Sequence, residues 1–163
     1  MKTLVLMRHA KSSWDKPELP DRDRPLNKRG EKDAPQMGRL LRKNDIKPDR
    51  VYASTAVRAA KTAELVAEKM HFEGEIIYLD AYYMAEPDAY LEPLRELPDD
   101  VKCVMIVGHN PGLEGLLQIL SRKVESMPTA AVARVNLPID SWKELTLEVH
   151  GKLKDLWLPR DLK

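Results

Sequence analysis

The apolar positions of the chain fall into short continuous runs separated by stripes of helical period. Residues 3–7 (Thr-Leu-Val-Leu-Met) form an unbroken apolar run, the pattern of a strand covered on both faces. Residues 11–30 are polar and carry Pro17, Pro20 and Pro25, which predicts a long loop. Loops of that length inside a compact domain usually serve function. A first helix is predicted to run to about Asn44, with Ala34, Met37, Leu40 and Leu41 inward. Pro35 makes that helix start near Asp33 or kink there.

Residues 50–53 predict a second strand, after which Ser54 or Thr55 caps a helix with Ala59, Ala63, Val66, Ala67 and Met70 on one stripe. A third strand is predicted over 76–79 and a short helix around 91–97. Residues 101–107 are the most hydrophobic run and predict a central strand. Gly108-His-Asn-Pro-Gly112 follows, with Asn110 as N-cap and Pro111 as the first residue of a helix that buries Leu113, Leu116, Leu117 and Leu120. Leu145, Leu147 and Val149 alternate, His150-Gly151 marks a turn and the pattern resumes at Leu153, which predicts a terminal β-hairpin. Strands alternating with helices define an α/β domain, a three-layer α/β/α sandwich around a mainly parallel sheet. No repeat or linker divides residues 1–163, so a single domain is expected.

The composition fits a globular chain: 43% of the 163 residues are hydrophobic and 33% charged. The net charge of +1 makes no case for nucleic acid or membrane as a partner. Its distribution is uneven. Residues 1–60 carry a net +7, residues 61–100 a net −8 and residues 101–163 a net +2. A basic first third can draw in an anionic ligand or simply form a solvated surface. The single Cys103 rules out an internal disulfide and a cysteine-built zinc site, and its apolar surroundings predict a buried, inert thiol. The N-terminal apolar run is too short before Arg8 for a signal sequence, and no run has the length of a membrane span. A reducing cytoplasm is the expected location.

The chemistry-bearing residues sit at strand ends. Arg8 and His9 follow the first strand, Arg58 lies in the first turn of the helix after the second, and His109 follows the central strand. In open α/β sheets ligands bind beyond the carboxyl ends of the strands, so these four residues converge on one rim. A guanidinium matches phosphate oxygens two at a time and stays charged. A neutral imidazole can attack phosphorus and hold the group covalently, and a second imidazole can stabilise charge on it. Arg cannot ligate a metal and repels cations, which counts against a metal site. His71 and His150 fall at a helix end and a turn and are expected at the surface.

Several blocks carry a resemblance: "RHAKSSW" at 8–14, "DRPLNKRG" at 23–30, "STAVRAAKTAE" at 54–64, "VGHNPGLE" at 107–114 and "PTAA" at 128–131. In this order they resemble the histidine phosphatase superfamily, with its phosphoglycerate-mutase-like fold. Within it they are most similar to the SixA-type phosphohistidine phosphatases. The resemblance implies His9 as the phosphorylated nucleophile, Arg8 and Arg58 as ligands of the phosphoryl oxygens and His109 as the residue completing the pocket. Ala10 stands where the usual signature has Gly. Asp15 stands where larger relatives place a phosphate-binding Asn, and its carboxylate would repel a phosphate. Ala81 aligns with the proton-donating Glu of ester-cleaving relatives, leaving Asp80 and Glu86 as substitutes or as ordinary surface carboxylates.

An alkoxide leaves badly without an acid, whereas the imidazole of a phosphohistidine leaves readily. The expected activity is therefore hydrolysis of phosphohistidine on a partner protein, such as a phosphorelay domain, through phospho-His9. No metal or organic cofactor is expected. The alternatives are a phosphatase of small phosphate esters, a mutase, for which the chain lacks sequence for a lid, and a catalytically silent phosphate-binding module.

Overall fold

The computed structural model describes residues 1–162. Its strands are β1 (Lys2–Arg8), β2 (Arg50–Ser54), β3 (Ile76–Leu79), β4 (Cys103–Gly108), β5 (Val132–Leu137) and β6 (Lys152–Trp157). The α-helices are α1 (Lys28–Lys43), α2 (Val57–Met70), α3 (Pro87–Leu91) and α4 (Gly112–Ser121). All six strands form one sheet in the order β3-β2-β4-β1-β5-β6. β1 to β4 are parallel, and β5 pairs antiparallel with both β1 and β6. Only β5 runs against the rest.

Successive strand residues face opposite sides of a sheet, and here both sides are covered. Leu4, Leu6, Val104 and Ile106 pack with Leu113, Leu116 and Leu120 of α4 and with Tyr82, Tyr90 and Trp142. Val5, Met7, Met105 and Val107 pack with Ala34, Met37 and Leu41 of α1 and Ala59, Ala63 and Val66 of α2. The result is the three-layer sandwich. Because β1 and β4 lie side by side at its centre, Arg8 pairs with Gly108 and both strands deliver their next residue to the same rim.

Four local expectations are corrected. Helix α1 begins at Lys28 rather than near Asp33, because the Asn27 side chain accepts the Gly30 N–H at 2.9 Å and caps it. Pro35 lies inside the helix, which continues through it. Neither Ser54 nor Thr55 caps α2; the N-cap is Ala56, without a side-chain bond. Helix α4 starts at Gly112, one residue later than Pro111 would place it, although the Asn110 Oδ1 still accepts the Glu114 N–H at 3.3 Å.

The largest miss is the C-terminal hairpin. Residues 145–149 form no strand, and β6 pairs instead with β5, which the sequence reading did not find. Ala133, Val135 and Leu137 are buried and alternate with half-buried Arg134 and Asn136, so the period-2 contrast of β5 is present in the sequence and matches that of residues 145–149. Leu145 is inward because the Trp142–Glu144 turn, closed by a Ser141/Glu144 capping box, folds it into the core.

Helices α1 and α2 touch closely at Gly38, where an added Cβ would lie 2.6 Å from the Val66 carbonyl oxygen and 2.9 Å from the Lys69 Cβ. Gly38→Val is expected to separate the two helices and destabilise the fold by about 1–3 kcal/mol, the usual cost of overpacking. Urea unfolding should show a lower midpoint at an unchanged slope; an unshifted midpoint would show that this contact is not tight.

Candidate active site

The loop after β1 is tied down at its two ends. Ser12 bridges Leu26 in antiparallel fashion, the Ser13 N–H reaches the Pro25 carbonyl at 2.8 Å and the Asn27 N–H reaches the Lys11 carbonyl at 3.0 Å. Gly30 in the first turn of α1 sits so close beneath that a Cβ would fall 2.2 Å from the Lys11 carbonyl oxygen. Only glycine permits this approach.

His9 leaves β1 with its N–H bonded to the Gly108 carbonyl at 3.1 Å, and is 7% exposed. Its Nδ1 lies 2.8 Å from the Ala10 carbonyl. A carbonyl only accepts, so Nδ1 carries the proton and Nε2 keeps its lone pair. His109 is 2% exposed, and its ring centroid is 5.1 Å from that of His9. Its Nε2 lies 2.8 Å from Ser54 Oγ, which itself accepts the Ala56 N–H at 3.1 Å. The Ser54 hydroxyl proton is then free to go to Nε2, which places the His109 proton on Nδ1. Thus the serine expected as a helix cap instead sets a tautomer.

Arg58 is joined to the nucleophile's loop through Thr62, whose hydroxyl accepts the Ala10 N–H at 3.0 Å and donates to the Arg58 carbonyl at 2.6 Å. The guanidinium of Arg58 is held by Asp21: Nη1 donates to its carbonyl at 2.6 Å and Nη2 to its carboxylate at 2.9 Å. Tyr83 and Arg24 donate to the same carboxylate at 2.6 and 2.8 Å. These donors, Tyr83 first and then Arg58 and Arg24, hold the Asp21 carboxyl well below its ordinary range.

Arg8, His9, Arg58 and His109 all line one cavity of about 230 Å³. Lys11, Ser12, Arg24, Asn110 and Thr129 add polar walls, while Trp14 and Met84 add apolar ones. No carboxylate lines it among the described residues. Asp15 is exposed and faces a different cavity, beside Ser13 and Lys16, so the expected repulsion of phosphate does not arise there. Asp80 is paired with Arg22 and Thr55 outside the cavity; the Thr55 hydrogen bond and then Arg22 lower its pKa. Glu86 is exposed at the start of α3. His71 and His150 are exposed too, and Cys103 is half-buried with its thiol pushed up to about 12 by burial and Asp49.

Two buried side-chain nitrogens lack any hydrogen-bond partner: Arg8 Nε and His109 Nδ1. Both are donors, and an unpaired buried donor costs about 1–3 kcal/mol. Both belong to residues that line the cavity.

The sequence profile of the histidine phosphatase superfamily (branch 1) matches residues 4–81. An uncharacterised protein of Mycobacterium leprae is 30% identical over 167 residues, covering 94% of this chain and 100% of that protein. The chain belongs to the histidine phosphatase superfamily. Within the superfamily, its fold is similar to that of a SixA phosphohistidine phosphatase from Agrobacterium tumefaciens, with a TM-score of 0.83, 27% identity and coverage of 97% of this chain and 98% of that one. The protein histidine phosphatase SixA complexed with tungstate matches with a TM-score of 0.84 and 23% identity over 99% of each chain. Phosphoglycerate mutase 1 of Saccharomyces cerevisiae is 37% identical over 71 residues, or 42% of this chain and 29% of the mutase. Among the described residues no helix is long and apolar enough to cross a membrane.

Sequence alone does not mark Arg24, Asp21 or Thr62 as site residues and offers Ser54 only as a helix cap. Arg24, Ser54 and Thr62 lie within the quoted superfamily-like blocks, but only tertiary contact reveals that Asp21 orients an arginine.

Burial first, then the neighbouring cations and the other imidazole, lower the pKa of His9 to about 3, and burial and Arg58 lower that of His109 to about 4. Both rings stay neutral in the fold where an unfolded histidine, near 6.5, takes up a proton. Acidification from about pH 6.5 to 4 therefore favours the unfolded chain, by up to about 1.4 kcal/mol per pH unit for each ring. Denaturant titrations at pH 7, 6 and 5 should show this slope, reduced in a His9→Gln/His109→Gln double variant. Equal slopes for the two proteins would show that the rings are not held neutral.

Proposed function

We propose that the chain hydrolyses phosphohistidine on a partner protein through a covalent phospho-His9 intermediate. The lining of the cavity carries this reading: guanidinium and imidazole donors surround a free imidazole nitrogen, and no carboxylic acid is present among the described residues.

In the first step His9 Nε2 attacks phosphorus in line with the substrate's P–N bond. A new P–N bond forms on His9, and the departing imidazole keeps the electron pair of the old one. Its other nitrogen already carries a proton, so it leaves directly as a neutral ring and needs no further proton. Arg8, Arg58 and His109 hold the three phosphoryl oxygens, and Arg24 and Lys11 add charge at the wall. The Nδ1–H of His9 remains on the Ala10 carbonyl, which stabilises the positive charge that develops on the ring. In the second step water attacks phospho-His9, the P–N bond breaks, and inorganic phosphate and neutral His9 are regenerated. The electrostatics are preorganised, which is where most of the acceleration in such sites arises.

An ester would need a proton at its leaving oxygen, and Asp80 is committed to Arg22 and Thr55 with its proton held less tightly than usual. This favours P–N over P–O cleavage. A cavity of about 230 Å³ suits a phosphorylated side chain presented on a protein, such as a cytoplasmic phosphorelay domain. We read residues 1–163 as one catalytic domain, since a single sheet delivers Arg8, His9, Arg58 and His109 to one rim.

A panel of phosphohistidine protein, phosphoserine peptide and small phosphate esters tests the reading. Phosphohistidine protein should be turned over fastest, and acid-labile phosphate should be trapped on His9. His9→Ala is expected to lower kcat by at least about 10³-fold, and Arg58→Ala by about 10²- to 10³-fold. Unchanged turnover by His9→Ala, or equal rates on esters, would overturn it.

A further inference from the structure

Two side chains at the cavity are unlike the rest. Trp14, in the loop after β1, is 68% exposed, and Met84, in the connection from β3 to α3, is 53% exposed. Both line the phosphate cavity. The Arg24 guanidinium carbon stands 3.3 Å from the Trp14 ring centroid, which covers one face of the indole and leaves the other open. Met84 holds a left-handed backbone with φ 49, a conformation that disfavours side chains other than Gly, Asn and Asp. Strain of this kind persists where the surrounding structure enforces it, and it clusters at ligand clamps. Its neighbour Tyr83 is fixed from both sides, by the bond to Asp21 and by an edge contact to the His109 ring at 5.5 Å between centroids. Met84 thus follows an anchored residue, and its side chain is left exposed at the cavity.

Exposing an indole and a thioether to water is unfavourable, and neither residue carries a charge to pair with phosphate. Both are polarisable, and both favour contact with an aromatic ring. The phosphoryl group belongs with the arginines and imidazoles below. We infer that Trp14 and Met84 form a subsite for a planar aromatic ring attached to the phosphoryl group. This rests on the phosphate-binding role proposed above and narrows it: ring-bearing phosphates, phosphohistidine among them, are held at both ends, whereas phosphoserine or phosphoramidate is held at one. Arg24 does not depend on the indole for its position, since it also bonds Asp21, Ser12 and the Ser13 carbonyl.

Binding of non-hydrolysable probes tests the subsite without requiring turnover. Isothermal titration should show phenylphosphonate binding the intact protein more tightly than methylphosphonate. Trp14→Ala should cut that preference by about 2- to 12-fold, the range of an aromatic contact, and Trp14→Phe should keep most of it. Met84→Gly, which a left-handed φ admits without strain, should also lower the preference. Affinity for inorganic phosphate should stay within about two-fold in Trp14→Ala, because three hydrogen bonds still hold Arg24. A preference unchanged in both Trp14→Ala and Met84→Gly overturns the subsite. So does an equal loss for inorganic phosphate and both phosphonates, which would make Trp14 a brace for Arg24. Failure to hydrolyse phosphohistidine, with the phenyl preference intact and sensitive to Trp14, would overturn the proposed reaction and leave the ring subsite standing.

Discussion

The bond from His9 Nδ1 to the Ala10 carbonyl, 2.8 Å long, determines what this site can do. It assigns the ring's proton and aims the opposite nitrogen at the cavity. The bond is local to two successive residues, so it needs only that the backbone after β1 hold its course. Much of the surrounding structure serves that requirement. The His9 N–H is taken by Gly108, the Ala10 N–H by Thr62, and the carbonyls of Arg8 and His9 by the N–H of Ala130 at 3.2 and 3.0 Å. Ala130 manages both from a left-handed backbone, φ 64.

Around the nucleophile the charges are arranged to oppose protonation and to invite an anion. Arg8 and Arg58 disfavour a charged imidazole on His9 and His109 alike, and burial adds to the effect. The same crowding of positive charge is relieved when a phosphoryl group arrives. Asp21 offsets part of the repulsion between these cations by sharing its carboxylate among Arg58, Arg24 and Tyr83. One carboxylate on a loop thus sets the position of two arginines and of the tyrosine whose ring meets His109.

The parallel half of the sheet was legible in the sequence because its strands are short apolar runs and its helices carry clean stripes. The four site residues were legible because strand ends on one rim must converge, whatever the details of packing. What stayed hidden depended on partners distant in the chain. β5 alternates from Ala133 to Leu137, but so do residues 145–149, where the alternation belongs to a capped turn, and the pattern alone does not tell the two apart. Ser54 reads as a helix cap until His109 is placed 2.8 Å from its hydroxyl. Asp15, which the resemblance aligns with a phosphate-binding Asn of larger relatives, lies past the Ser12–Leu26 bridge, exposed and in a different cavity.

The position of β5 carries a consequence for synthesis on the ribosome. β1 is made first, yet its neighbours in the sheet are β4 and β5, and Arg8 is held by the Met127 carbonyl at 3.2 Å. A nascent chain that has emerged only through α4 therefore has β1 exposed along one edge, with Arg8 and His9 lacking the Met127 and Ala130 contacts. Such an edge is open to mispairing with other chains. Residues 123–162, of which Thr129 alone lines the cavity, close that edge and lock the nucleophile in register.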